Sequence, residues 1–86
     1  MPRSPFRLRS TIGRSYSVEP EDVLRTKRLL KELGYFDSPE YGMTPYPDEP
    51  MFKGIEQFQD DFDLYRDSVM NPDGETVAKI NEVLVD

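Results

Sequence analysis

Residues 53–64 read KGIEQFQDDFDL, and together with the preceding Phe52 they are the stretch around which the chain is organised. The large apolar residues recur at spacings of three, three and four: Phe52, Ile55, Phe58 and Phe62. That spacing predicts an amphipathic helix with its aromatic side chains along one face. The opposite face carries polar side chains: Lys53, Glu56, Gln57, Asp60 and Asp61. Because buried aromatic rings remove a large area from water, we expect the flanking segments to pack on this helix.

A first helix is predicted to precede this stretch, beginning at Pro20 and ending at Gly34. Proline suits the first helical position, and glycine adopts the left-handed conformation that ends a helix, with Tyr35 folding back over it. The predicted buried stripe is Val23, Thr26, Leu30 and Leu33. Four basic residues are predicted to lie off that stripe: Arg25, Lys27, Arg28 and Lys31.

The predicted fold class is all-α, a small bundle of three helices joined by two connections. Residues 36–50, FDSPEYGMTPYPDEP, contain four prolines and predict a long loop between helices 1 and 2, with Asp48 capping the second helix. Residues 65–71 are too short and mixed for a helix, and a turn at 71–74 leads into the third. The third helix is expected to bury Val77, Ile80 and Leu84.

Composition limits the chemistry that the chain performs. The 86 residues allow one domain at most, and they include no cysteine and no histidine. This composition excludes disulfides, thiolate nucleophiles and histidine, the commonest general base. No nucleophile–base pair can be proposed. We therefore expect no enzyme activity, no cofactor and no metal. Five aspartates recur without the glycine and glutamate of a calcium loop, so a solvated acidic face is expected: Asp60, Asp61, Asp63, Asp67 and Asp73.

Charge divides the chain into an N-terminal arm (residues 1–17) and a domain (residues 18–86). The arm carries four arginines and no acid, whereas the domain carries 7 basic and 17 acidic residues, a net charge of −10. The arm is interpreted as an extended interaction tail, with a disordered tail as the alternative. Its predicted partner-binding residues are Arg3, Phe6, Arg7, Leu8, Arg9 and Arg14. An acidic neighbouring protein subunit suits this arm better than nucleic acid, whose phosphates the domain would repel.

Targeting signals are missing from the sequence. No apolar run approaches the roughly 20 residues that span a membrane, and no apolar stretch of a secretory signal follows the basic N-terminus. If the chain is complete, we expect it to be synthesised in the cytoplasm and to make no membrane contact.

Several motifs, taken in order, resemble a known family. A Val-x-x-x-Lys-x-x-Leu helix ends at Leu33-Gly34-Tyr35, a turn-rich loop follows, and then come Gly54-Ile55-x-x-Phe58-Gln59, Leu64 and an Asp67-Ser68-Val69 turn. This order is similar to the three-helix peptidoglycan-binding domain over residues 20–84. The resemblance implies the three-helix fold of that family and a non-catalytic module that targets the cell wall. The arm lies outside the matched residues.

The chain departs from that family pattern at several positions. Lys27 stands where members usually carry glutamine, and Thr26 where leucine or valine is common. Asp63 and Ser68 each stand in the place of a turn glycine.

The resemblance and the aromatic residues suggest a glycan groove between the loop and helix 2. Tyr35, Tyr41 and Tyr46 could stack on sugar rings or instead pin the loop to the core. Gln59 could face a ligand or instead bond loop backbone. We expect a peptidoglycan-binding-like component of a phage or phage-like particle, located in the virion. The alternative is a structural or decoration protein that reuses the fold as a scaffold, docks through its arm and binds no glycan.

Overall fold

The computed structural model describes residues 5–84 and contains three helices in that range: α1 (Pro20–Leu33), α2 (Glu49–Asp61) and α3 (Glu75–Leu84). No strand occurs between residues 5 and 84; one isolated antiparallel bridge joins Ile12 to Met70 through two backbone hydrogen bonds of 2.9 Å. The predicted all-α class and three-helix order are therefore confirmed. Over the same range, no helix has the length and apolar character that a membrane crossing requires.

The helix ends lie where the sequence signals predict them. Gly34 has φ = +90°, and its N–H donates to the Lys31 carbonyl at 3.1 Å, so it closes α1 in the left-handed conformation. Asp48 precedes α2 and its Oδ1 accepts from the Met51 N–H at 3.1 Å. The turn before α3 is closed by the Gly74 N–H, which donates to the Asn71 carbonyl at 2.9 Å.

The core is built on the aromatic face of α2. Its buried hydrophobic residues come from all three helices, from the segments between them and from the chain before α1: Phe6, Leu8, Ile12, Val23, Leu29, Leu30, Phe36, Met51, Phe52, Ile55, Phe58, Met70, Val77 and Ile80. The predicted face of α2 is confirmed, with Phe62 half-buried at its end. Gly54 lets α2 approach the end of α1, because a Cβ atom there would lie 2.6 Å from the Tyr35 carbonyl oxygen.

The N-terminal arm forms part of this core. We expected Phe6 and Leu8 to anchor the arm on a partner, but both are 8% exposed and pack against this chain's own helices, as does Ile12. In an extended segment alternate side chains point the same way, so Phe6 and Leu8 share one face. The hydrophobic core therefore crosses the predicted division between arm (residues 1–17) and domain (residues 18–86) and includes residues from Phe6 onward. Arg3 lies outside the described residues.

Two polar side chains fix the arm by bonding its backbone. The Asp22 Oδ2 atom accepts from the N–H groups of Arg9 at 2.9 Å and Ser10 at 3.0 Å. Asn81 accepts from the Phe6 N–H at 2.7 Å and donates to the Phe6 carbonyl at 3.0 Å. The arm is thereby bonded to α1 and α3 at once, which stabilises its extended conformation.

Candidate functional site

The connection between α1 and α2, here called the tyrosine loop (residues 35–48), carries the predicted glycan-binding tyrosines. Tyr41 is 62% exposed and Tyr46 is 71% exposed, whereas Tyr35 is half-buried. The loop contains no helix or strand, so its shape depends on side-chain anchors. Two of the three predicted tyrosines therefore present their rings to solvent.

Lys27 is the main anchor of the tyrosine loop. Its ammonium donates to the carbonyls of Thr44 at 2.9 Å and Tyr46 at 2.7 Å, and to Asp48 Oδ2 at 3.0 Å. The prediction that Lys27 lies off the buried stripe is wrong, because its side chain is 0% exposed. The loop supplies enough oxygen acceptors to compensate the ammonium for its lost hydration.

Asp48 joins the loop to α2 at the same point. While Oδ1 caps the helix, Oδ2 accepts from Lys27 and from the Tyr41 hydroxyl at 2.8 Å. Partial burial by itself raises the pKa of Asp48, but the hydrogen bonds from Lys27, Tyr41 and the Met51 amide outweigh it, so the pKa is lowered. The pKa of the Tyr41 hydroxyl is raised because it donates to this carboxylate. Asp48 thus stays ionised and holds the Tyr41 hydroxyl while the ring face stays open.

Tyr35 lies at the start of the loop and packs on α2. Its ring meets the Phe58 ring edge-on at a centroid distance of 5.6 Å, and its hydroxyl donates to Asp61 at 2.8 Å. Burial, and then the hydrogen bond to Asp61, raise the pKa of Tyr35 to about 12. Tyr35 therefore attaches the loop to the core. Of the two roles considered for it, sugar stacking and loop attachment, these contacts support loop attachment.

Gln59 is buried beneath the turn that follows α2. Its Nε2 lies 3.1 Å from each of three acceptors, Asp67 Oδ1, the Val69 carbonyl and Thr76 Oγ1, which share its two N–H groups. Its Oε1 accepts from the N–H groups of Asp67 at 3.1 Å and Ser68 at 2.9 Å. With 0% exposure and every polar atom bonded, Gln59 organises residues 67–76 and has no atom available to a ligand.

Arg14, at the end of the arm, contacts α2 and the turn after it. Its guanidinium binds the carboxylates of Glu49 at 2.9 Å and Glu56 at 3.0 Å and donates to Ser68 Oγ at 2.8 Å. The hydrogen bonds to Glu49 and Glu56 raise the pKa of Arg14, and the one to Glu49 lowers the pKa of that carboxyl. All three arginines of this part of the arm are exposed, but Arg14 is engaged within the chain by these contacts, Arg9 lies 3.7 Å from Glu21, and Arg7 has no ion pair within residues 5–84.

The acidic residues between positions 5 and 84 are not grouped as metal ligands. The five aspartates singled out from the sequence are all exposed. Within residues 5–84, no group of three acidic, histidine or cysteine side chains is placed to hold a metal ion.

Two anchoring residues, Lys27 and Asp22, were missed by reasoning from sequence. Both lie on a helix whose charged residues were expected to be solvated, yet both are 0% exposed. The sequence singles out Lys27 only as a motif position, and its acceptors in the loop lie 17 to 21 residues away, so no local pattern predicts its burial.

The chain was compared with protein-family models, curated proteins and solved structures, and no match was found in any of the three.

Proposed function

We propose that the chain is a non-catalytic peptidoglycan-binding-like module that contacts cell-wall glycan through the tyrosine loop. The observation that carries this proposal is the pair of exposed rings, Tyr41 and Tyr46, held on a loop anchored by Lys27 and Asp48. A sugar presents a weakly polar C–H face that stacks on an aromatic ring, and a fixed ring loses little entropy on binding.

Backbone geometry after α2 supports the proposed family. Asp63 has φ = +60° and Ser68 has φ = +58°, and within the described residues they are the only non-glycine positions with positive φ. These are the two positions at which the family pattern carries a turn glycine. A left-handed backbone at both explains why glycine would be favoured there. The Gly34 stop and the buried Gln59 support the same assignment.

In this proposal the module is a small structural component of a phage or phage-like particle that meets the wall when the particle adsorbs. A second candidate function is an assembly protein that uses the fold as a scaffold. The observation in its favour is the exposed basic surface of the arm and α1, which carries Arg7 and Arg28.

The glycan proposal is tested by pelleting purified peptidoglycan sacculi with single tyrosine variants. Tyr41→Ala and Tyr46→Ala each lose a stacking ring, so we expect affinity to fall about tenfold with the fold retained by circular dichroism. Tyr41→Phe keeps the ring and should bind nearly as wild type.

The matched control is Tyr65→Ala, which removes an equally exposed tyrosine (75%) outside the loop. It should leave pelleting unchanged. Equal pelleting by all four variants and the wild type would reject the tyrosine loop as the glycan site.

A further inference from the structure

A groove of about 590 Å³ lies between residues 5–9 of the arm and one face of α1. Four arginines line it: Arg7, Arg9, Arg25 and Arg28. Its apolar lining includes Leu29 from α1 and Leu84 from the end of α3, and among residues 5–84 Glu32 is the one acidic lining residue. We call this surface the arginine groove. It combines concentrated positive charge with apolar side chains in a chain that is otherwise strongly acidic.

The four arginines differ in how they are engaged. Arg25 binds Asp22 at 3.1 Å and Glu21 at 3.5 Å, and Arg9 lies 3.7 Å from Glu21. Within residues 5–84, neither Arg7 nor Arg28 makes a hydrogen bond or ion pair, and both are exposed. The groove therefore has two arginines that are held by the fold and two that are free to bind a ligand.

The position of the groove depends on the arm being docked. Asp22 and Asn81 hold the backbone of Phe6, Arg9 and Ser10, and so the intervening Arg7 is fixed beside α1. A disordered arm would not form a groove, whereas a docked arm places charge on both walls. A preformed site of this kind lowers the entropy cost of binding.

We propose that the arginine groove binds an acidic peptide segment of a partner protein, with an apolar residue between carboxylates. Guanidinium groups pair with carboxylates through two parallel hydrogen bonds, and the pair is stronger than a neutral contact. Arg7 and Arg28, on opposite walls of the groove, bind carboxylates of the peptide. Leu29 and Leu84 contact its apolar side chain. The volume of about 590 Å³ lies within the range of about 300–1,000 Å³ that is typical of ligand clefts, and so a few residues of a peptide can occupy it.

Charge complementarity favours this occupant over two others. Nucleic acid extends beyond the groove along the chain, where residues 18–86 carry a net charge of −10 and repel phosphate. The phosphate backbone of a nucleic acid also has no apolar group that would pack on the apolar lining of the groove. A symmetric second copy would place the arginine grooves of both copies face to face, which like-charge repulsion opposes.

The arginine groove is separate from the proposed glycan site. Arg25, Arg28 and Leu29 recur at helical spacing on one face of α1, whereas Lys27, the anchor of the tyrosine loop, points to another. The inference therefore goes beyond the proposed function, and loss of one activity would leave the other in place.

Fluorescence anisotropy tests the proposal with a labelled 12-residue probe peptide in which Glu and Asp alternate with Leu and Phe. We expect saturable binding that weakens as salt rises from about 0.05 to 0.5 M. The double variant Arg7→Gln/Arg28→Gln should weaken binding about tenfold or more. The charge-matched control, Lys53→Gln/Arg66→Gln, removes two exposed cations outside the groove and should change affinity less than about twofold.

Probe variants separate the contributions to binding. Replacing the peptide's acids by Gln and Asn, or its apolar residues by Gly, should each reduce affinity if both chemistries are used. Equal losses in the groove variant and its control would overturn the proposal, because net charge alone would then explain binding.

Two further results would also overturn it. A single-stranded oligonucleotide that binds more tightly than the peptide, through the same two arginines, would assign the groove to nucleic acid. Sedimentation velocity showing self-association that Arg7→Gln/Arg28→Gln abolishes would assign it to a second copy.

Discussion

Thr26 is a buried residue whose hydroxyl has no hydrogen-bond partner within residues 5–84. Its side chain is 0% exposed on α1, and its Oγ1 has no partner among the described residues. A buried hydroxyl without a partner lowers stability by about 1–3 kcal/mol. In the proposed family, leucine or valine is common at this position, which would suit an apolar environment.

We predict that Thr26→Val raises the free energy of unfolding by about 1 kcal/mol, because valine has nearly the same shape without the unpaired hydroxyl. Urea denaturation measures the change. Thr76→Val is the matched control: the Thr76 hydroxyl accepts from Gln59 at 3.1 Å, so its loss should destabilise by about 1 kcal/mol. A destabilised Thr26→Val would show that Oγ1 is bonded in solution.

Single residues were predictable where local backbone rules decide their role. Gly34 and Asp48 were identified because helix ends require a left-handed stop and a capping oxygen. Lys27 and Asp22 were not, because their partners come from a distant loop and from the arm. Charged residues on a helix are usually solvated, and only tertiary contacts reverse that expectation.

At the scale of elements, the helices were predictable and the docked arm was not. Helix positions follow from apolar periodicity and end signals within a few residues of sequence. The arm has no helical period, and it is held by residues distant in sequence: Asp22 on α1, Asn81 on α3 and Met70 through the bridge. Its basic character indicated an interaction tail, while Phe6, Leu8 and Ile12 complete this chain's own core.

We predict that the arm contributes to stability as a helix does. Ile12 and Ile80 are both 0% exposed, the first in the arm and the second on α3. Ile12→Val and Ile80→Val should each lower the free energy of unfolding by about 1 kcal/mol, because each loses a buried methyl group. Chemical denaturation compares them directly. A neutral Ile12→Val beside a destabilising Ile80→Val would mean that the arm is not docked in solution.

The whole molecule presents two surfaces of different chemistry. The tyrosine loop offers neutral, exposed rings, and the arginine groove offers cations beside apolar side chains. Neither surface was fully predictable. Tyr41 and Tyr46 were visible as loop aromatics, but the groove needs Arg25 and Arg28 from α1 to lie beside the arm, which only the fold determines.

These two surfaces respond differently to salt. Ring stacking and neutral hydrogen bonds are weakly screened, whereas contacts between exposed charges weaken when the Debye length falls from about 10 Å at 0.1 M to about 3 Å at 1 M salt. Salt therefore distinguishes a glycan site on the tyrosine loop from electrostatic attraction to the arginine groove.

Co-sedimentation with purified sacculi at about 0.1 M and 1 M salt is the measurement that tests the proposed function most directly. We predict that the wild type pellets at both salt concentrations, that Arg7→Gln/Arg28→Gln does the same, and that Tyr41→Ala/Tyr46→Ala stays in the supernatant. Pelleting that disappears at high salt, or no pelleting at either concentration, would contradict a glycan site on the tyrosine loop.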